Sequence, residues 1–291
     1  MATDLNQTQA FAELRIAVRA AVTLSAIVAC GVRSSNLQYS CMELIDVNTE
    51  NLEDKGFFCY MSKRKSEGYQ RKLRWLKERM AEGLRIKLLP PPERGFIEYM
   101  PGEKCWRAVH AQDYMVIHCL WVVGKSKSRG FGKTLLDACV AEAQRANLKG
   151  VAMVTSERVW LAGSRILSGK GFECVATAQP AFSLMAKKFQ DSPSPSFTGE
   201  WDRKASAFGK GLTVIRSDQC PYIVDATTTA VDAAKQAGIE HQVVELESHD
   251  DLLKLSPSAY GVFGLVLDGK PLSYHYLLAK DLVPLLVGKS T

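Results

Sequence analysis

The turn Lys127-Ser128-Arg129-Gly130-Phe131-Gly132-Lys133-Thr134 constrains this chain more than any other stretch. Ahead of it runs 114–123, an almost unbroken apolar and β-prone segment that reads as a buried strand. Behind it, Thr134 to Asn147 spaces Leu135, Ala138, Cys139, Glu142 and Ala143 at helical intervals, with Gly150 soon after. A strand that enters a glycine-bearing turn and leaves as a helix makes an anion site. Glycines let the main chain approach closely, and the unpaired N–H groups of the first helical turn point at the anion. Lys127, Arg129 and Lys133 add positive charge at the same place. The expectation is a phosphate cradle.

Three phosphate-binding turns compete for this stretch. A P-loop ends in Gly-Lys-Ser/Thr, as Gly132-Lys133-Thr134 does, but it needs a glycine where Lys127 stands. A dinucleotide turn needs three glycines and a later acidic residue at a strand end; only Gly130 and Gly132 are present, and Thr155-Ser156-Glu157 lacks that form. The third pattern is Gln/Arg-x-x-Gly-x-Gly/Ala, the pyrophosphate turn of GNAT-superfamily acyltransferases. Lys127-x-x-Gly130-x-Gly132 resembles it, with lysine keeping the charge of the first position but not its geometry. The strand Gly150–Ser156, a short helix from Ala162 and the stop Gly169-Lys170-Gly171-Phe172 follow in the order of that superfamily's acyl-CoA-binding half. The segments Gly95–Glu103, Trp106–Val109 and Val151–Ser156 are similar to GNAT N-acetyltransferases that carry a C-terminal YoaP-type, thioredoxin-like domain.

This resemblance implies an α/β (α+β) fold: a mixed GNAT sheet flanked by helices, plus a small C-terminal thioredoxin-like α/β domain. The expected divisions are an extension at 1–40, the acetyltransferase domain at 41–190, a Pro/Ser linker at 191–210 and the second domain at 211–291. The implied reaction moves an acetyl group from acetyl-CoA to an amine of a small molecule, amino acid or peptide, by direct attack in a ternary complex. The cofactor contacts expected are the backbone Leu120-Trp121-Val122, the turn Lys127, Ser128, Arg129, Gly130, Phe131, Gly132, Lys133 and Thr134, and Ser164 at the next helix start. Many relatives place a tyrosine acid four residues before the Gly-Phe glycine; Leu167 stands there. For the base, Glu98 and His118 are the candidates: a half-buried carboxylate raised toward neutrality, or a histidine sharing the face of Leu120 and Val122. Glu103 ranks behind them.

In the second domain, Cys220-Pro221-Tyr222-Ile223 resembles a glutaredoxin-type Cys-Pro-Tyr-Cys motif without its second cysteine. A cysteine at a helix start is acidified by the helix dipole, so Cys220 is a candidate redox or substrate thiol, although dithiol exchange within the motif is excluded. The alternative function is a catalytically weak CoA-binding or thiol-sensing interaction protein. The eight cysteines form no Cys-x-x-Cys pair, so no metal is expected and a reducing cytoplasm is implied. A net charge of +6 suits an anionic cofactor but is too dispersed for nucleic acid. Arg15 and Arg19 before the apolar run 20–30 have the order of an export signal, yet the run is too short to span a bilayer, so no membrane partner is expected. A homodimer is compatible with the reading.

Overall fold

Two sheets organise residues 42–158 and 161–288, the parts of the chain described by a computed structural model. The export-signal reading of 20–30 lies outside these residues. The larger sheet contains β1 (Ile45–Val47), β2 (Arg85–Leu88), β3 (Gly95–Pro101), β5 (Tyr114–Val122), β6 (Gly150–Ser156), β8 (Phe182–Lys188) and β7 (Glu173–Ala178), in that spatial order. Every pairing is antiparallel except β5 with β6. β6 is buried along its whole length, as its unbroken apolar run requires of a strand covered on both faces. The helix Phe131–Arg145 packs on β3, β5 and β6 through Leu135, Leu136, Cys139 and Ala143.

By sequence the basic segment 57–82 reads as one helix with a solvated face; in the structure the α-helix spans only Glu67–Ala81, preceded by a 3-10 turn at Met61–Lys63. Phe58 and Tyr60 hold positive φ and interrupt any earlier helix, while the Ser66 side chain accepts the Tyr69 N–H to start the real one. The helix buries Tyr69, Lys72, Leu73, Trp75, Leu76 and Met80. Lys72, taken with its neighbours as part of a solvated face, is therefore interior.

The smaller sheet has the order β11 (His241–Glu245), β10 (Leu212–Arg216), β12 (Phe263–Leu267), β13 (Lys270–Ser273). β10 and β11 are parallel, and β12 and β13 run antiparallel to their neighbours. Helices Ile223–Gln236, His249–Leu255 and Ala279–Val287 accompany it. The Pro/Ser stretch read by sequence as a linker is packed at its start. Tyr114 donates its hydroxyl to the Pro193 carbonyl at 3.0 Å, and β9 (Ser196–Phe197) pairs with β4 (Val109–His110). The described residues from 43 to 288 accordingly form one compact unit.

Several contacts seat the C-terminal half on the first. A Cβ on Gly68 would lie 2.1 Å from the Pro221 carbonyl oxygen, so the helix Glu67–Ala81 touches the Cys-Pro turn through a glycine. Arg71 pairs with Asp218 at 2.8 Å and Glu245 at 2.7 Å. The Cys105 carbonyl lies 2.6 Å from His249 Nδ1.

Candidate active site

Gly130, at φ 85°, caps the helix Phe131–Arg145, and Ser128 also has positive φ at 61°. This handedness turns successive main-chain N–H groups inward, as in an anion nest. Among the described residues, the N–H groups of Ser128, Arg129, Gly130, Phe131 and Gly132 have no acceptor; the next two, of Lys133 and Thr134, donate to the Gly130 carbonyl. The turn borders a cavity of about 530 Å³ lined by Leu120, Val122, Lys127, Ser128, Gly130, Phe131, Gly132 and Lys133, with Ile166 behind. A Cβ on Gly132 would meet Ile166 Cδ1 at 2.6 Å, so this glycine lets the helix start sit against the helix Ser164–Ser168.

The strand leading into the turn opens this cavity. β5 pairs with β6 only from Tyr114 to Ile117, and from there on its partner is β3 alone. β6 meanwhile continues along β8 to Ser156. The two parallel strands thus part at His118, leaving one edge of 118–122 facing open space. A bulge sits at the same point: Tyr99 opposes Ile117 and Glu98 opposes Cys119, with His118 as the extra residue. The bulge resets the alternation of side chains. Leu120 and Val122 line the first cavity, whereas His118, Cys119, Trp121 and Val123 line a second, of about 450 Å³. His118 therefore does not share the face of Leu120 and Val122.

At four other expected contact positions the side chain lies away from the first cavity. Trp121 turns its side chain into the second. Arg129 pairs with Glu93 at 2.6 Å and covers the Phe131 ring. Thr134 is engaged in the first helical turn, and Ser164 gives its N–H and hydroxyl to Glu157 at 2.8 and 3.0 Å. Glu103, the third-ranked base, is tied to the Asp113 N–H at 2.5 Å.

The second cavity is walled by both halves of the chain. Phe57, Phe58, Cys59, Phe96 and Trp121 come from the first half; Cys220, Tyr222, Tyr260, Phe263 and Tyr276 come from the second. At its wall Glu98 accepts Lys72 Nζ at 2.7 Å and faces His118 Nδ1 at 3.4 Å. Burial would raise the Glu98 carboxyl, but the Lys72 ammonium and the His118 hydrogen bond outweigh it and hold it down at about 2. The expectation of a carboxylate near neutrality is thus reversed, because sequence reasoning left Lys72 in solvent. Burial pushes His118 down to about 4, with Glu98 opposing. His118 Nε2 accepts the Trp106 N–H at 3.0 Å, so the network assigns the neutral ring with its proton on Nδ1. With Nε2 occupied, this ring is a satisfied structural histidine.

Burial also raises the thiols at this wall: Cys59 to about 12, Cys119 well above its ordinary value, and Cys220 upward despite help from the Tyr222 backbone. The expected acidified thiol at Cys220 is absent, since Cys220 precedes the first turn of the helix Ile223–Gln236 and sits among apolar walls. Among the described residues no cluster of His, Cys, Asp and Glu is arranged to hold a metal, and no helix is long and apolar enough to cross a membrane.

By sequence, Trp106 and Arg107 read equally as packing and a surface charge. Trp106 is fully buried against Trp75 and Arg79. Arg107 is buried at the cavity wall, where Gln219 of the second half accepts its Nη1 at 2.5 Å. A signal existed for Lys72, which stands three residues after Tyr69 and three before Trp75, on the apolar stripe of its helix.

No family profile matches the chain. Several solved structures resemble it at low identity. The aminoglycoside 6'-acetyltransferase type Ii is 16% identical, covering 52% of this chain and all of that one, with a TM-score of 0.39. A GNAT-family acetyltransferase of Staphylococcus aureus Mu50 is 14% identical over 51% of this chain and 99% of its own, with a TM-score of 0.38. The uncharacterized N-acetyltransferase YoaP of Bacillus subtilis (strain 168) is 30% identical over 237 residues, which cover 80% of this chain and 94% of that protein. On that extended match, the chain belongs to the GNAT N-acetyltransferase family.

Proposed function

We propose that the protein transfers an acetyl group from acetyl-CoA to an amine held in the second cavity. One observation carries the reading: five consecutive unpaired N–H groups, at Ser128 to Gly132, belong to the turn that borders the same cavity as Leu120 and Val122 of the parted strand. A pyrophosphate has the charge and oxygen spacing to use such donors, and Lys127 and Lys133 complete its neutralisation. The free edge of 118–122 offers main-chain N–H groups for a thioester carbonyl where negative charge develops. β5 separates the two cavities, so a donor on one side reaches an acceptor on the other past His118 and Cys119.

In the transfer, the carbonyl carbon–sulfur bond breaks as the carbon–nitrogen bond forms, and the amine gives up one proton. Neither Glu98 nor His118 is free to take it, being committed to Lys72 and to Trp106. The cavity acts on the amine instead: apolar walls disfavour an ammonium, so the amine sheds its proton to water on binding. Leu167 is buried where relatives carry a tyrosine, which leaves the thiolate to be protonated by water.

The C-terminal half is read as a degenerate thioredoxin-like module serving as a wall of the acceptor site. The sheet order β11-β10-β12-β13, the parallel β10/β11 pair and the Cys-Pro turn before a helix support that reading. Thiol sensing is less favoured, because burial holds Cys59 and Cys220 protonated. A cytosolic location follows from the acyl donor. The test is thermal unfolding with acetyl-CoA: at 100 times Kd, the midpoint rises by about 5–10 °C. No shift at millimolar acetyl-CoA removes the reading.

A further inference from the structure

The second cavity contains a cation that the protein leaves without a counter-ion. Lys72, Glu98 and Arg107 are each only 4% exposed at its wall. Lys72 and Glu98 neutralise each other at 2.7 Å, and His118 is neutral by its hydrogen bonds. Arg107 has no carboxylate within ion-pair distance among the described residues. Its Nη1 donates to the Trp106 carbonyl at 2.7 Å and to Gln219 Oε1 at 2.5 Å, and its Nη2 to the His118 carbonyl. All three acceptors are neutral oxygens, and Nε has no partner. A guanidinium does not deprotonate in a protein, so the wall keeps one net positive charge. Burying such a charge unpaired is strongly unfavourable, whereas the same group with a carboxylate makes strong, oriented hydrogen bonds.

The guanidinium is also held in place from both halves. Gln219, which accepts from Arg107, donates its amide to Ser217 Oγ at 2.9 Å and to the Gly261 carbonyl at 2.8 Å. The Cys-Pro turn of the second half thereby orients a cation belonging to the first.

We infer that the acceptor carries a carboxylate that pairs with Arg107, and that it is an α-amino acid with a large apolar or aromatic side chain. This rests on the reading of the second cavity as the acceptor site. Arg107 bonds the carbonyl of His118, the residue at which β5 leaves β6. A carboxylate placed there keeps an amine one carbon away beside the parted strand. Phe57, Phe58, Phe96, Trp121 and Tyr276 receive an apolar side chain, and about 450 Å³ is enough for a single amino acid.

The experiment measures CoA release by the full chain from acetyl-CoA, with large apolar amino acids, their carboxamides and their decarboxylated amines as acceptors. The acids are expected to exceed the matched amides in kcat/KM by about 100-fold, because a buried cation left unpaired penalises the neutral analogue. In Arg107→Gln the gap shrinks to within about tenfold, mainly through KM, while Arg107→Lys keeps part of it. Amides or amines that react as fast as the acids overturn the inference. So does failure of every acid while acetyl-CoA still raises the melting temperature, an outcome that leaves the acetyl-CoA reading standing. Loss of the acetyl-CoA shift strikes that underlying reading instead. If Arg107→Gln does not fold, the acid-to-amide ratio of the unaltered protein still decides.

Discussion

Replacing Glu98 by glutamine removes the counter-charge of Lys72 and leaves the ammonium buried, with only the Trp75 ring at 4.4 Å as an electrostatic partner. Breaking a buried pair from one side costs about 3–5 kcal/mol. A second route gives a similar size. The Glu98 carboxyl is held at about 2 instead of its ordinary 4.5, and each unit is worth about 1.4 kcal/mol, or about 3 kcal/mol in all. For a chain of this length the melting temperature should fall by about 6–20 °C at pH 7. The folded-state value lies below the unfolded one, so this stabilisation is complete above about 4.5 and is lost as pH falls toward about 2. His118, pushed from 6.5 to about 4, adds an earlier loss as pH falls through that window, because the unfolded ring binds the proton first. Glu98→Gln should erase the lower step, seen by circular dichroism melts from pH 7 to pH 3. The double variant Lys72→Met/Glu98→Gln should recover most of the loss, since neither member of the pair is left charged without the other. The reasoning is refuted if Glu98→Gln lowers the midpoint by less than about 3 °C, or if the double variant is no more stable than the single.

Gly130→Val forces a β-branched residue to φ 85° and should abolish the acetyl-CoA shift while lowering the melting temperature of the free protein by only a few degrees. Gly68→Ala drives a Cβ into the Pro221 carbonyl oxygen, and should cost about 1–3 kcal/mol and raise KM for the acceptor with the acetyl-CoA shift unchanged. Cys220→Ser should keep at least about half the turnover, because a thiol raised by burial is no nucleophile at neutral pH; loss of most turnover in a folded, acetyl-CoA-binding variant would sink that view. The rate should climb with pH along the amine's own titration, with no enzyme group titrating between pH 5 and 8 at Glu98 or His118. Two acceptors of different amine pKa should therefore give two displaced profiles, and coincident profiles would point to a protein base.

The strand, turn and helix at 114–145 were legible because their signals are local: an apolar run, glycines where φ is positive, and a 3.6-residue spacing. The second sheet was legible on the same grounds, from β-prone runs at 212–216, 241–246 and 261–267. What escaped depends on long-range placement. The bulge at His118 changes which side chains share a face, and nothing in 114–123 marks an extra residue. Glu98 was visible as a buried-strand carboxylate, but its ionisation is set by Lys72, 26 residues away on another element. Likewise Arg107 acquires its orientation from Gln219, 112 residues on. Local pattern predicts which elements form, whereas the charge state of an interior group follows from what the topology brings beside it.

The C-terminal half is attached through contacts that leave little freedom: a glycine against a carbonyl at Gly68, an ionic cluster at Arg71, and Gly261, where a Cβ would lie 3.2 Å from the Ala108 nitrogen. A cover fixed this way makes the second cavity by folding. Two consequences then share one cause. Apolar walls from both halves raise the thiols and make the cavity's unpaired cation, Arg107, costly unless an anion meets it. Where the Cys-Pro turn faces the larger sheet, Cys220 forms part of the cavity wall, and its neighbour Gln219 is the group that aims Arg107.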